Sequence, residues 1–145
     1  MIAKTRMENL YREIEGLQQI NLSLAEQGIL SFLKEQARKE EDLILEFEKN
    51  ISEKKWDESL ISFFQLGQRT NLIFSYLVQP AVISSLSSSK IAEIAQDLVD
   101  CLSTTIAEAV ISLKNNMKNI GIESITSSLN SNPPSINISL VLKSA

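Results

Sequence analysis

Residues 89–121, SKIAEIAQDLVDCLSTTIAEAVISLKNNMKNIG, decide how this chain folds. Ile91, Ile94, Ala95, Leu98, Cys101, Leu102, Thr105, Ile106, Ala109, Leu113, Met117 and Ile120 recur there at intervals of three and four, the spacing that lines one face of a helix. The pattern predicts one long amphipathic helix, opened by a Ser89 cap and closed by Gly121, which can take the left-handed conformation that ends helices. So broad an apolar face has to be covered. The rest of the chain is therefore expected to pack around this helix, with Leu98, Leu102, Ile106 and Leu113 in the core.

Directly after Gly121 the period changes. Ile136, Ile138, Leu140 and Leu142 alternate with Asn137, Ser139, Val141 and Lys143, the two-residue repeat of a half-buried strand. Ile122 to Leu129 is a weaker partner, and Asn130 to Ser135 (NSNPPS) carries turn chemistry. This predicts a C-terminal β-hairpin. An isolated two-stranded hairpin is marginal in water, so it must pack on the helices or on a partner's sheet.

Upstream of the long helix, Thr5 to Glu8 and Ser23 to Glu26 both fit the capping-box pattern that starts helices. Met7, Leu10, Tyr11, Ile14 and Leu17 follow the first at helical spacing; Ala25, Ile29, Phe32, Leu33, Ala37, Leu43, Ile44, Phe47 and Ile51 follow the second. Between them, residues 21–28 either turn or continue one kinked helix through Gly28. The charged run Arg38-Lys39-Glu40-Glu41-Asp42 reads as a solvated outer face. Lys54-Lys55 and Asp57-Glu58 place cations at one helix end and anions at the next helix start, marking a helix–helix turn. Trp56, Leu60, Phe63, Phe64, Gly67, Phe74, Leu77 and Val78 form a third stripe that Gln79-Pro80 interrupts, with a short turn of helix over 81–86 and a Ser87-Ser88-Ser89 linker. The fold class is mainly α, a bundle of about four helices with a small β component. Residues 1–121 form the helical domain, and 122–145 form the hairpin.

The totals, 145 residues with 43% apolar and 22% charged, are those of one folded domain. A net charge of −4 works against a protein that coats duplex nucleic acid, because backbone binding runs on clustered Lys and Arg. Charge is distributed unevenly. Through Glu58 there are nine basic and thirteen acidic residues, whereas Ser59 to Ala145 holds five of each. Ser, Thr, Asn and Gln fill the polar positions of that second part, and such side chains cost less than charges to bury against protein. Charged residues through the first twenty argue against a leader or anchor there. The apolar run Leu72 to Ile83 is broken by Ser75, Gln79 and Pro80 and falls short of the ~18–20 residues of a span. One cysteine rules out a disulfide framework, and the expected location is cytoplasmic.

Little catalytic chemistry is available. No histidine is present, which removes His-based acid–base catalysis, the usual hydrolase triads and most zinc and iron sites. The four glycines are scattered singly, so no phosphate-cradling loop exists. Glu93, Asp97 and Asp100 share one stripe of the long helix, but a hard cation takes ~6 oxygen ligands, and a solvated stripe explains them without a metal. Cys101, among apolar neighbours and without a His partner, reads as core. No catalytic residue, cofactor or metal is expected.

The reading that remains is a non-enzymatic protein–protein interaction or assembly subunit that self-associates through helix faces and strand edges. Phe74, Leu77, Ile136, Ile138, Leu140 and Leu142 are its candidate interface. One alternative is a small helical subunit of a nucleoprotein or defence complex, touching backbone through Arg69, Lys114 and Lys118. Another is an acidic inhibitor or immunity-type protein masking a basic site with Glu40, Glu41, Asp42 and Glu46.

Overall fold

A computed structural model of the chain describes residues 2–18, 22–86, 90–131 and 134–144. Its elements are α1 (Ile2–Gln18), α2 (Leu24–Ser52), α3 (Trp56–Leu77), α4 (Pro80–Leu86), α5 (Ile91–Asn115), α6 (Met117–Ile120), β1 (Ile122–Ser131) and β2 (Pro134–Leu142). The fold is mainly α, with a C-terminal antiparallel hairpin.

Helix α5 is the spine that the periodicity predicts. It touches α1, α2, α3, α6 and β1. Leu98, Leu102, Ile106 and Leu113 are all buried, and Val110 joins the inward face. The helix does not run unbroken to Gly121, however. Asn116 leaves helical geometry at φ −120° and ψ 19°. Its Nδ2 donates to the Ser112 carbonyl at 2.8 Å, and its backbone N–H reaches back three residues to Leu113 at 3.1 Å. Asparagine competes in this way for the acceptors that would continue a helix. One further turn, α6, follows before Gly121 closes it at φ 79°. At the other end the helix begins at Ile91 after Lys90, which makes no side-chain cap bond. The Ser87-Ser88-Ser89 linker with its Ser89 cap lies outside the described residues.

The capping box at Ser23 is formed on both sides: Glu26 N–H donates to Ser23 Oγ, and Ser23 N–H to Glu26 Oε1, each at 3.2 Å. Gly28 lies inside α2, so the chain does not turn there. α1 ends at Gln18 and α2 begins at Leu24, and residues 19–21 lie outside the described residues. The box at Thr5 is not used, because α1 already begins at Ile2 and Thr5 is an interior helical residue.

Between α2 and α3 the backbone closes by bonds from Lys55 N–H to Asn50 O (2.8 Å) and Lys54 N–H to Ile51 O (3.1 Å), with Lys54 at φ 58°. This is the two-bond helix stop that usually places glycine at the left-handed position. A buried polar contact locks the two helices beside it: Asn50 Nδ2 donates to Ser62 Oγ at 3.1 Å.

The hairpin pairs Ile125 with Leu140, Ser127 with Ile138 and Leu129 with Ile136, and an irregularity lies between Ile122 and Ser124. That bulge allows Ile122 and Ile125, three residues apart, both to be buried, whereas strict alternation would send one of them outward. β2 docks on α3 and β1 on α5. Two contacts on α3 set the docking. Gly67 leaves room for Ile138, whose Cδ1 lies 2.8 Å from where a Cβ would stand. Asn71 meets the backbone of Ile136 with both ends of its amide, donating to the carbonyl (2.9 Å) and accepting from the N–H (2.8 Å). Ile122, Ile125 and Ile136 thereby join the same buried cluster as the helices.

Candidate functional site

The surface residues that sequence spacing singles out are divided by the fold. Phe74, at 1% exposure, and Ile136, at 5%, are parts of the internal core and present no surface for a partner. Phe74 lies on the inward stripe of α3 beside Ile73, and Ile136 is held to α3 through Asn71. Leu77, Ile138 and Leu140 are half-buried against the core. Leu142 is 56% exposed, alongside exposed Leu129 and Val141 on the hairpin and Ile61, Phe64 and Leu72 on α3. Phe64 therefore points outward, while Leu66, Thr70 and Ile73 take the inward positions.

The candidate cations also separate. Arg69 lines a groove of about 540 Å³ between α2 and α3 with Lys39, Asp42, Gln65, Gln68 and Leu72, and its Nη1 donates to Gln36 Oε1 at 2.9 Å. Beyond it, Tyr76 lies on Phe32 with ring centroids 3.7 Å apart. Lys114 and Lys118 line a different hollow, of about 560 Å³, around α6, and there Lys143 joins them from the end of β2 beside Glu123. The convergence of Lys143 follows from the hairpin's return and has no signal in local sequence.

Of the acidic residues proposed for a masking surface, Asp42 and Glu46 are exposed and Glu41 is half-buried. Glu40 is not on the surface at all. It is fully buried, with neither carboxylate oxygen hydrogen-bonded. The reason is positional: Leu33, Ala37, Glu40, Ile44 and Phe47 continue one inward stripe of α2. That spacing was available in the sequence, but the neighbouring charges of residues 38–42 mask it.

Around Glu40 the core carries several polar groups. Gln36 precedes it on α2, Arg69 and Thr70 face it from α3, and Cys101 is near it on α5. Thr70 Oγ1 commits its proton to the Leu66 carbonyl at 2.8 Å, and Thr105 Oγ1 commits its own to Cys101 O at 2.8 Å. Burial pushes the Glu40 carboxyl from an ordinary 4.5 up to about 8, with the Arg69 charge and Thr70 opposing the shift. Burial, then the charge of Glu40, pushes the Cys101 thiol up to about 11. A thiol so held stays protonated and is a poor nucleophile.

A second acidic grouping lies between α1 and α5, where Arg6, Asn9, Glu13, Asp97 and Asp100 line a groove. Burial and then the hydrogen bond and charge of Asp97 raise the carboxyl of Glu13, with Glu93 adding to the effect. Among the described residues no group of three or more His, Cys, Asp or Glu is arranged to hold a metal ion. Nor is any described helix long and apolar enough to cross a membrane.

No protein-family model, curated protein or solved structure matches this chain.

Proposed function

We propose that the chain is a non-enzymatic protein–protein interaction or assembly subunit that associates with further copies of itself. The observation that carries this reading is the apolar surface left over once the core is complete. Ile61, Phe64 and Leu72 remain exposed on α3, and Leu129, Val141 and Leu142 remain exposed on the hairpin. These residues belong to the charge-poor part of the chain, where Ser59 to Ala145 has five acidic and five basic residues. An apolar surface with few charges around it is the kind that protein partners cover. The chain as a whole carries −4, so association has to run through such a neutral region rather than between like-charged ones.

Light scattering coupled to size separation, over a concentration series, tests the reading. The expected result is a mass that rises above 16.2 kDa with concentration. A mass that stays monomeric throughout would remove it.

The convergence of Lys114, Lys118 and Lys143 on one hollow favours, as a second reading, contact with a nucleic-acid backbone. Fluorescence anisotropy with labelled single-stranded RNA at low and moderate salt tests this. Salt-sensitive binding that is lost when all three lysines become alanine would support it, and no binding at low salt would eliminate it.

A further inference from the structure

Arg69 is a half-buried cation that forms no ion pair among the described residues. Its Nη1 donates to Gln36 Oε1 at 2.9 Å, and Gln36 is a neutral acceptor that is itself buried, at 5% exposure. The carboxyl whose field it shares is Glu40, one turn beyond Gln36 on α2, fully buried with neither oxygen hydrogen-bonded. Burial raises that carboxyl to about 8, so at pH 7 it largely keeps its proton and gives Arg69 no counter-charge. A guanidinium has five N–H donors in a planar fork, and the Gln36 bond uses one of them. The groove that Arg69 lines, about 540 Å³ in volume, falls in the ~300–1,000 Å³ range of ligand sites. Leu43 on α2 and Leu72 on α3 give it apolar walls, and Gln65 and Gln68 add amides. Its charged lining is Arg69, Lys39 and Asp42, two cations and one anion.

We propose that the groove between α2 and α3 binds a small monocarboxylate with an apolar chain, the carboxylate held by Arg69 and the chain lying between Leu43 and Leu72. A carboxylate matches the planar guanidinium with two parallel hydrogen bonds. A single negative charge balances the surplus of one cation in the lining, whereas a second would be opposed by Asp42. Ligand and Glu40 then compete for the same guanidinium. Ionising Glu40 supplies Arg69 with an internal counter-charge in a site of low dielectric and so weakens its hold on the ligand. By reciprocity, a bound carboxylate keeps Glu40 protonated to higher pH. The other ionisable groups around Glu40 leave this coupling undisturbed. Cys101 on α5, at about 11, and Tyr11 on α1, at about 12 and beside Glu41, both keep their protons at pH 9. Arg6 of α1 acts on Cys101, and α4 carries no ionisable side chain.

Hexanoate titrated into the full chain, followed by proton–nitrogen NMR of the Arg69 Nε–H and the Gln65 and Gln68 amides, tests the site. Because Leu72 also belongs to the apolar surface proposed above for association, the titration uses a chain concentration at which light scattering shows monomer. Saturable shifts are expected at pH 7. They should be absent with hexanamide, which has the same chain without the charge, and weaker with inorganic phosphate. Arg69→Gln should lose about tenfold or more in affinity. Between pH 7 and pH 9 the wild-type chain should lose about threefold or more, and Glu40→Gln should lose nothing. Equal shifts with hexanamide or with phosphate, full affinity in Arg69→Gln, or a wild-type affinity unchanged at pH 9 would overturn the proposal. Should Arg69→Gln fail to fold, the ligand comparison and the pH series on the wild-type chain decide between the same outcomes.

Discussion

Replacing Glu40 by glutamine should stabilise the fold, by an amount that depends on pH. In the folded chain the carboxyl is fully buried without a hydrogen-bond partner and its pKa is raised from 4.5 to about 8, chiefly by burial. Between those two values the unfolded chain has released the proton while the folded chain still holds it. Stability therefore falls as pH rises through this window, by about 1.4 kcal/mol per pH unit, and levels off above about 8. Summed over the window, the loss is about 5 kcal/mol, of which about 3 kcal/mol has accumulated by pH 7. Glutamine keeps the shape and polarity but has no proton to lose. Its stability should match wild type near pH 5 and exceed it increasingly toward pH 8. Urea unfolding between pH 5 and pH 8 reads this as a diverging midpoint at constant slope. Glu13, whose carboxyl is also raised, adds a slope of the same sign, but it is common to both proteins and cancels in the difference. Parallel pH profiles for wild type and Glu40→Gln, or a variant less stable at pH 8, would refute the reasoning.

Three other perturbations probe the joints of the fold. Asn71→Asp keeps the acceptor for Ile136 N–H but sets a carboxylate oxygen against the Ile136 carbonyl, so the hairpin should loosen from α3 at a cost of about 1–3 kcal/mol, seen as faster amide exchange across β2. Lys54→Gly relieves a left-handed φ of 58° and should raise stability by about 1 kcal/mol in chemical denaturation. Leu102→Asp puts a charge at a fully buried position of α5 and should abolish the cooperative thermal transition at neutral pH.

Asn71 closes the edge of β2 at Ile136 and holds the hairpin on α3. On the proposed self-association, which uses exposed Leu129, Val141 and Leu142 of the hairpin, a variant that undocks the hairpin should weaken association as well as stability, whereas Lys54→Gly, in the turn between α2 and α3, should leave association unchanged.

Several features of this protein follow from local sequence alone. Periods of three and four residues specify the inward faces of α1, α2 and α5, because a helix repeats its faces regardless of what covers them. The switch to a period of two after Gly121 specifies a strand for the same reason, and the Ser23–Glu26 box specifies a helix start because its bonds are contained within a few residues. Where a side chain's environment depends on distant residues, the tertiary structure decided. Glu40 sits on a core stripe amid surface charges, and only the approach of α3 and α5 shows that it is sealed in. Phe74 and Ile136 have the composition of an interface, yet both are buried in the chain's own core. Asn71 meets Ile136 across 65 positions of sequence, and that contact ties β2 to α3. Lys143 reaches Lys114 and Lys118 because the hairpin returns the chain to α6. Hydropathy records which faces avoid water; which neighbour removes the water is a property of the packed chain.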